Sequence, residues 1–387
     1  AEAGYEEVIL FEKRGRVGGT CESITIDGQV YELGAVFGAP HYKLVGGLAE
    51  GVGLEHGRCL PNHYYSPLGR RTALYPWRKY PALLWQLFVK LAWLSAHQYR
   101  AVYEPGLAHI HPDLYENFET FAARRGLAEV PALFQQITTG FGYGYAEQVP
   151  AAYLLKYLSW PMILDCARGQ GYIWPEGIQT LWQRLSEEHE VLPGAEVQRV
   201  QRGDRVTVTT TRGRYDVDKL ILACPLDEAL SFLDATAEER DLFSRIRTYD
   251  YWVLLCEISG LPRDIGFIRA NFAARNQGHL MIWCCRCPQT PLYQLYVLGD
   301  FQTSAEVIEA TCAADLQRLG ARLEKVVEAR RWSYFPHVTT AAMAGGFYKR
   351  LEALQGRRRT FYCGEIMSFS TLECCARYAR DLGERLF

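Results

Sequence analysis

The 387-residue sequence lacks an excess of either charge: 42 Lys and Arg stand against 44 Asp and Glu, a formal net charge of −2. Nucleic-acid binding rests on phosphate neutralisation by a basic surface, so no nucleic-acid partner is expected. The sequence also lacks an uncharged apolar run long enough to span a bilayer. The nearest, Ala-Leu-Leu-Trp-Gln-Leu-Phe-Val-Lys-Leu-Ala-Trp-Leu-Ser-Ala at 82–96, is short and interrupted by Lys90. With Arg78 and Lys79 just upstream, it reads either as a core helix or as a helix lying on a membrane to collect an apolar substrate. The twelve cysteines form no recognisable framework: Cys284-Cys285 and Cys374-Cys375 are adjacent pairs, and Cys285 and Cys287 are separated by one residue. They read as reduced thiols of an intracellular, cytoplasmic protein, with no metal site. There is no internal repeat and no low-complexity segment. The 49% hydrophobic and 22% charged residues are those of a globular chain, long enough for two structural units.

What is present begins with a nucleotide grip. Val8-Ile9-Leu10-Phe11-Glu12 is an apolar strand ending in an acid, followed by Lys13-Arg14-Gly15-Arg16-Val17-Gly18-Gly19. In a doubly wound dinucleotide fold such an acid accepts hydrogen bonds from ribose hydroxyls, and glycines let backbone approach a cofactor because no Cβ intervenes. Arg16 offers positive charge to a pyrophosphate. The Gly-x-Gly-x-x-Gly turn expected about 20 residues before the acid is not among the eleven residues preceding Glu12. Ala1-Glu2-Ala3-Gly4 reads as the end of the helix that follows such a turn, so the expectation is a unit without its first strand, leaving room for an upstream targeting segment.

Along the chain, Thr25-Ile26, Asp27-Gly28 and Gln29 to Leu33 read as strand, turn and strand. Two strands are expected within 58–75, helices over 76–135, a loop at Phe141-Gly142-Tyr143-Gly144-Tyr145, and a helix from Val149. An amphipathic helix through Leu181, Trp182 and Leu185 precedes a meander over 196–217. Lys219-Leu220-Ile221-Leu222-Ala223-Cys224-Pro225 reads as a buried strand ended by proline, 250–300 as β-rich, 301–330 as helical, and the end as a strand at 360–363 and a helix from about 371. Nucleotide-binding elements at 1–75, 176–230 and 345–387 thus alternate with a helical insertion at 76–175 and a β-rich one at 231–344.

Glu12 with Arg16-Val17-Gly18-Gly19, the strand Ile221-Leu222-Ala223-Cys224-Pro225, and Thr360-Phe361-Tyr362-Cys363-Gly364-Glu365 resemble the flavin-containing amine oxidase superfamily. A narrower set resembles the bacterial flavin-dependent polyunsaturated fatty acid double-bond isomerases, of the type making conjugated linoleic acid. It comprises Gly140 to Gly144, Val149 to Leu158, Tyr334-Phe335-Pro336-His337-Val338, Gln355-Gly356-Arg357-Arg358 and Gly364 to Phe369. The resemblance implies an α/β architecture: a Rossmann-like FAD-binding domain with an interleaved α+β substrate domain and a helical lobe. It implies non-covalent FAD and a hydride moved from a bis-allylic carbon to the flavin and returned at another carbon, giving a conjugated diene with no net oxidation. The alternatives are an FAD-dependent oxidase or desaturase of an amine or polyene, and a truncated, non-catalytic remnant.

By the same resemblance Glu12 binds ribose, and Lys13, Arg16, Gly18, Gly19 and Thr20 stand beside the pyrophosphate, with Thr20 where relatives often carry Arg. Gly34, Ala35 and Val36 face the flavin, Val197 meets the adenine through its backbone, and Cys224 and Pro225 end the adjoining strand. Gly364 and Glu365 accept from ribityl hydroxyls, with Ser368 at the helix start that polarises the flavin. Phe141, Tyr143, Trp174 and Tyr334 are candidates for an aromatic wall around an acyl chain, with His63 and Cys166 nearby. His63 and His337 invite acid–base roles, but hydride shuttling needs no general base, so both read as structural. An arginine anchor for a carboxylate is expected at the strand entering 60–75, where Asn62-His63-Tyr64-Tyr65 stands instead. The segment expected to carry an aromatic gate reads Leu164-Asp165-Cys166-Ala167.

Overall fold

The computed structural model describes residues 7–387; the N-terminal segment read above as a helix end lies outside the described residues. The strand Ile9–Glu12 pairs in parallel with Glu190–Pro193. The chain then turns through Gly18 (φ +111°) and Gly19 (φ +56°) and runs back extended, so that Thr20 O and Glu22 O accept from Ala35 N and Leu33 N at 3.1 and 2.7 Å. The hairpin Ser23–Ile26 and Gln29–Glu32 closes on Asp27 (φ +49°) and Gly28 (φ +75°). Two positive φ values are what a two-residue type I′ turn requires, and Asp-Gly is the pair that tolerates them.

The meander forms as Val197–Arg202, Val206–Thr210 and Gly213–Val217. A second parallel pair joins Leu220–Leu222 to Thr360–Tyr362. The expectation that the first of these is buried needs correction: Leu222 is buried but Ile221 is 51% exposed. A short apolar run does not reveal by itself whether both faces are covered. The closing helix, Leu372–Leu386, is N-capped by the Thr371 hydroxyl, which accepts from Cys374 N. Glu373 in its first turn reaches across to the backbone amides of Leu44 and Val45 at 3.0–3.1 Å. It thereby satisfies the free N–H groups of the helix Lys43–Gly51.

A seven-stranded sheet forms the other half, in the order Arg322–His337, Arg247–Ser259, Leu292–Gly299, Leu280–Cys284, Ile265–Ile268, Asn62–Tyr65 and Arg71–Thr72. Two expectations are overturned here. The helix over 301–330 exists only as Ala305–Arg318; Gly320, at φ +80°, follows its end, and the chain enters the longest strand of the sheet. The 62–72 hairpin, assigned to the nucleotide-binding unit, is hydrogen-bonded into this sheet, with Asn62–Tyr65 parallel to Ile265–Ile268. Alternation identifies a strand but not its partner across some 200 residues of chain.

The helical segment runs as Tyr80–Trp85, a wider π-turn at Gln86–Leu91, and Ala92–Ala96, then Phe118–Arg124, Val130–Thr138, Ala151–Tyr157 and Trp160–Arg168. Its core is continuous with the 360–362 strand: one cluster of buried side chains runs from Leu83 through Leu154 to Tyr362 and Met367. Lys156 is buried within it, donating to the carbonyls of Val102, Glu104 and Gly106 at 2.9, 2.6 and 3.0 Å. Burial lowers its ammonium to about 8.

Candidate functional site

Three backbone segments meet in one region, joined by hydrogen bonds. The first is Gly18 to Glu22. The second is Gly34 to Val36, held so close to the first that a Cβ on Gly34 would stand 1.7 Å from Thr20 O. Only glycine fits there. The third is Gly364-Glu365, where Gly364 takes φ +103° with its Cβ position 3.3 Å from Ala223 O. The Thr20 hydroxyl donates to Glu365 at 3.3 Å, tying the first segment to the third. Ala223, Cys224 and Pro225 are exposed at the end of the Leu220–Leu222 strand, although none is polar enough to seek water. The Cys224 thiol is open on one side yet recessed. Desolvation, and then the carboxylates of Glu228, Asp227 and Glu12, push it up to about 11. Glu12, at the end of the first strand, is half-exposed and accepts from its neighbour Arg14 N at 2.7 Å. Glycine-rich backbone with the acids Glu12 and Glu365 is the residue set that suits a dinucleotide rich in hydroxyls.

Arg16, expected to face a pyrophosphate, is turned toward Glu22. It pairs with that carboxylate and donates to Gly19 O at 3.1 Å and Cys21 O at 3.4 Å. Arg14 and Arg330 reach the same carboxylate at 3.3 and 2.8 Å. Burial would raise Glu22, but hydrogen bonds and charge from Arg330 and Arg16 hold it below its ordinary value. The first role of Arg16 in the structure is to brace the glycine turn. Lys13 is exposed and pairs with Glu196 at 3.4 Å. Val197 begins the meander, half-buried, and the Ser368 hydroxyl caps Cys374 O at 3.1 Å.

Glu365 stands in the third segment. Burial raises its carboxyl, offset in part by the hydroxyls of Ser370 and Thr20. Cysteines crowd around it: the Cys375 thiol is pushed up by burial and then by Glu365, Cys374, Cys363 and Cys21. Nothing in the sequence spacing pointed to this convergence. All twelve cysteines are unpaired. Cys284 and Cys287 are separated by two residues, yet no group of residues among those described could hold a metal ion.

Beyond Glu365 lies an aromatic box. Tyr143 packs on Phe369 at 4.8 Å, Tyr157 at 5.0 Å and Tyr334 at 5.8 Å, and Tyr251 adjoins Tyr334 at 5.6 Å. The phenols are mutually tied: Tyr334 donates to Tyr143 at 3.3 Å, and Tyr143 to Ser370 O at 3.1 Å. Burial raises both hydroxyls well above their ordinary value, so both stay neutral. Tyr334 is aimed here by an irregularity in the longest strand. The register slips between Arg247 and Tyr249, and Phe335 adopts φ +55°, an outlier for a bulky residue. Gly142 lets the loop approach; a Cβ there would meet the Tyr334 ring at 2.7 Å.

Other candidates fall elsewhere. Phe141 lies 5.8 Å from Phe37, and both pack against the cluster that contains Tyr251. Trp174 is fully buried in a separate cluster with Val45, Ile178 and Leu181, so it is a core residue. His63 pairs with Asp264 at 2.7 Å, which also takes Tyr65 and Trp283. His337 is buried against Tyr249, lowered by desolvation to about 4. Cys166 is exposed, within electrostatic reach of Tyr64 together with Arg269 and Tyr80.

The comparisons agree with this architecture. The model for flavin containing amine oxidoreductases matches residues 1–377, and the chain belongs to that family. FAD is its cofactor. Its fold matches the crystal structure of the CLA-producing fatty acid isomerase from P. acnes with a TM-score of 0.95 and 30% identity, covering 100% of this chain and 94% of that one. A putrescine oxidase matches at TM-score 0.73 and 19% identity, covering 99% and 93%, a likeness of fold alone. Among curated relatives, the beta-cyclopiazonate dehydrogenase of Aspergillus oryzae is 27% identical over 285 residues, 67% of this chain and 61% of its own. An FAD-dependent oxidoreductase of Apiospora sacchari is 27% identical over 283 residues, 65% of this chain and 58% of its own. The chain thus spans about three-fifths of the length of these curated relatives. No helix among the described residues is long and apolar enough to cross a membrane.

Proposed function

We propose that the protein isomerises double bonds of a polyunsaturated fatty acid to a conjugated diene. The observation that carries this reading is the match to the P. acnes isomerase over the whole chain, at 30% identity. The aromatic cluster is consistent with it: neutral tyrosines and Phe369 pack together there without a charged side chain among them, a lining suited to an acyl chain rather than to a cation needing a counter-charge. FAD, when bound, supplies the hydride acceptor and donor. The chain's own part is to hold the cofactor and exclude water. Glu12 takes ribose hydroxyls, Lys13 and Thr20 border the phosphates with Gly18 and Gly19, and Arg16 braces that turn. Gly34, Ala35 and Val36 admit the ring, Val197 offers backbone to adenine, Cys224 and Pro225 close one wall, and Gly364, Glu365 and Ser368 take the ribityl side. The discontinuous FAD-binding domain, the helical lobe at 76–175 and the β-rich substrate domain, which gains the 62–72 hairpin, are the units that carry this division of labour.

The second reading, an oxidase or desaturase of an amine or polyene, draws on the dehydrogenase and oxidoreductase relatives. One experiment separates them. FAD-loaded protein is mixed anaerobically with polyunsaturated fatty acids, and conjugated-diene absorbance is followed; a parallel aerobic run follows oxygen. Diene formation without an acceptor is the expected result. Turnover only with oxygen or another acceptor overturns the isomerase in favour of the second reading. FAD-loaded protein inert in both runs leaves a non-catalytic chain.

A further inference from the structure

The helix at 80–96, with its π-turn, is apolar on two sides. Leu83, Leu87, Leu91 and Leu94 point inward and are buried. That stripe accounts for packing against the lobe. A second set points outward: Trp85 is 51% exposed, Phe88 44%, Val89 51% and Trp93 57%, with Leu84 beside them and Trp77 just ahead at 75%. Eight of the fourteen large exposed apolar side chains of the described residues lie between Leu68 and Trp93. Scattered exposed apolar groups need no explanation, but a contiguous patch does.

The charges around the patch say what fits it. Between Trp77 and Tyr103 there are four basic residues and no acidic one; Lys79 is paired with Glu129 at 3.0 Å, which leaves Arg78, Lys90 and Arg100 as the cations around the patch. Lys90 lies along the apolar surface with its ammonium 4.7 Å over the Trp85 ring, and Arg78 lies 5.4 Å over Trp77. Long cationic stems laid over tryptophans at the rim of an apolar face are the arrangement of an interfacial helix. Tryptophan is the side chain enriched where hydrocarbon meets headgroups. A second copy of this chain is a poorer fit, because a two-fold contact sets a patch against itself and would face these like charges toward each other.

We infer that the outward face of residues 77–96 docks on an anionic lipid surface, lying in the interface without crossing it. Phe88 packs edge-on against Trp160, the first residue of the helix Trp160–Arg168, at 5.4 Å. A fatty acid leaving the bilayer would meet this end of the lobe first, a consequence that rests on the isomerase reading; the docking itself does not.

The test uses the whole FAD-loaded chain and sedimentation with vesicles of equal parts phosphatidylcholine and phosphatidylglycerol. The wild type is expected to pellet with them, less so at high salt, and weakly with phosphatidylcholine alone. Trp85→Ser, Val89→Ser and Trp93→Ser combined should weaken binding by at least about tenfold while the flavin spectrum and melting temperature hold. Should that variant misfold, Arg78→Gln with Arg100→Gln, both at exposed positions, should weaken binding by about fivefold per charge. A wild type that stays in solution, or variants that pellet equally, overturns the inference. So does a wild-type dimer that the apolar variant converts to monomer without changing vesicle binding. Binding is read without turnover, so its loss is distinct from failure of the isomerase reading.

Discussion

Glu239 and Glu365 are both withdrawn from solvent, and their surroundings could hardly differ more. Glu239 meets Arg202 through two hydrogen bonds of 2.6 and 2.8 Å, accepts from Thr236 N at 2.6 Å, and is bonded by the Tyr362 hydroxyl. Arg202 is itself completed by Asp234 at 2.6 Å. Burial would raise the Glu239 carboxyl, but the bonds from Arg202, Tyr362 and Thr236 bring it down to about 2. Glu365 is met by the hydroxyls of Ser370 and Thr20 rather than by a guanidinium, and burial raises its carboxyl. A carboxylate the protein satisfies by itself holds the fold together. One left with spare acceptor capacity beside glycine-rich backbone is poised for hydroxyls that come from elsewhere.

The largest effect expected from this contrast is at the self-satisfied site. Arg202→Leu leaves Glu239 buried without its cation, and should cost about 3–5 kcal/mol of stability, read by urea unfolding. The pH dependence has a definite sign. Glu239 is depressed in the folded state from an ordinary 4.5, so its contribution is full above 4.5 and lost as pH falls toward 2. The variant should show a flatter stability profile across that window. A loss below about 1 kcal/mol, the range of exposed pairs, would mean that the network is not the clamp its geometry describes.

How much of this was legible beforehand follows from how local each signal is. The Asp27-Gly28 turn and the acid ending the first strand are set by neighbours in sequence, and each is readable there. The sheet position of 62–72 was not, because its partner is the strand Ile265–Ile268. Arg16 was read as a phosphate ligand because its proximity to Gly18 and Gly19 is visible, while Glu22 and Arg330, which fix where it points, meet only in three dimensions. Trp174, a candidate wall residue as an aromatic, is core by packing. Phe335 carries an unusual backbone that no propensity foretells, and that irregularity sets the direction of Tyr334.

The next effect in size falls on the other carboxylate. Glu365→Gln keeps an acceptor but drops the charge, and should weaken FAD binding about tenfold, or ~1.4 kcal/mol, measured by quenching of flavin fluorescence. Because burial raises this carboxyl, its contribution is full below 4.5 and lost as pH rises through its elevated value. The FAD-free variant should therefore be no less stable than wild type at neutral pH, and the gap between them should close on acidification. If Glu365→Gln instead destabilised the apoprotein as Arg202→Leu does, the two carboxylates would be of one kind and the contrast would fail.

The smallest expected effect probes the aromatic cluster. Tyr143→Phe removes a hydroxyl that donates to Ser370 O at 3.1 Å and accepts from Tyr334 at 3.3 Å, and leaves the ring on Phe369 and Tyr157. The loss should be about 1 kcal/mol of stability. If the ring serves only as wall, diene formation should stay within about threefold of wild type, since a change well under 1.36 kcal/mol moves a rate by less than tenfold. The same substitution should leave the flavin spectrum unchanged. A variant that binds FAD normally yet loses turnover by orders of magnitude would make the hydroxyl a participant in proton transfer. That would set Tyr143 apart from its aromatic neighbours and remove the ground for a reaction that moves hydride alone.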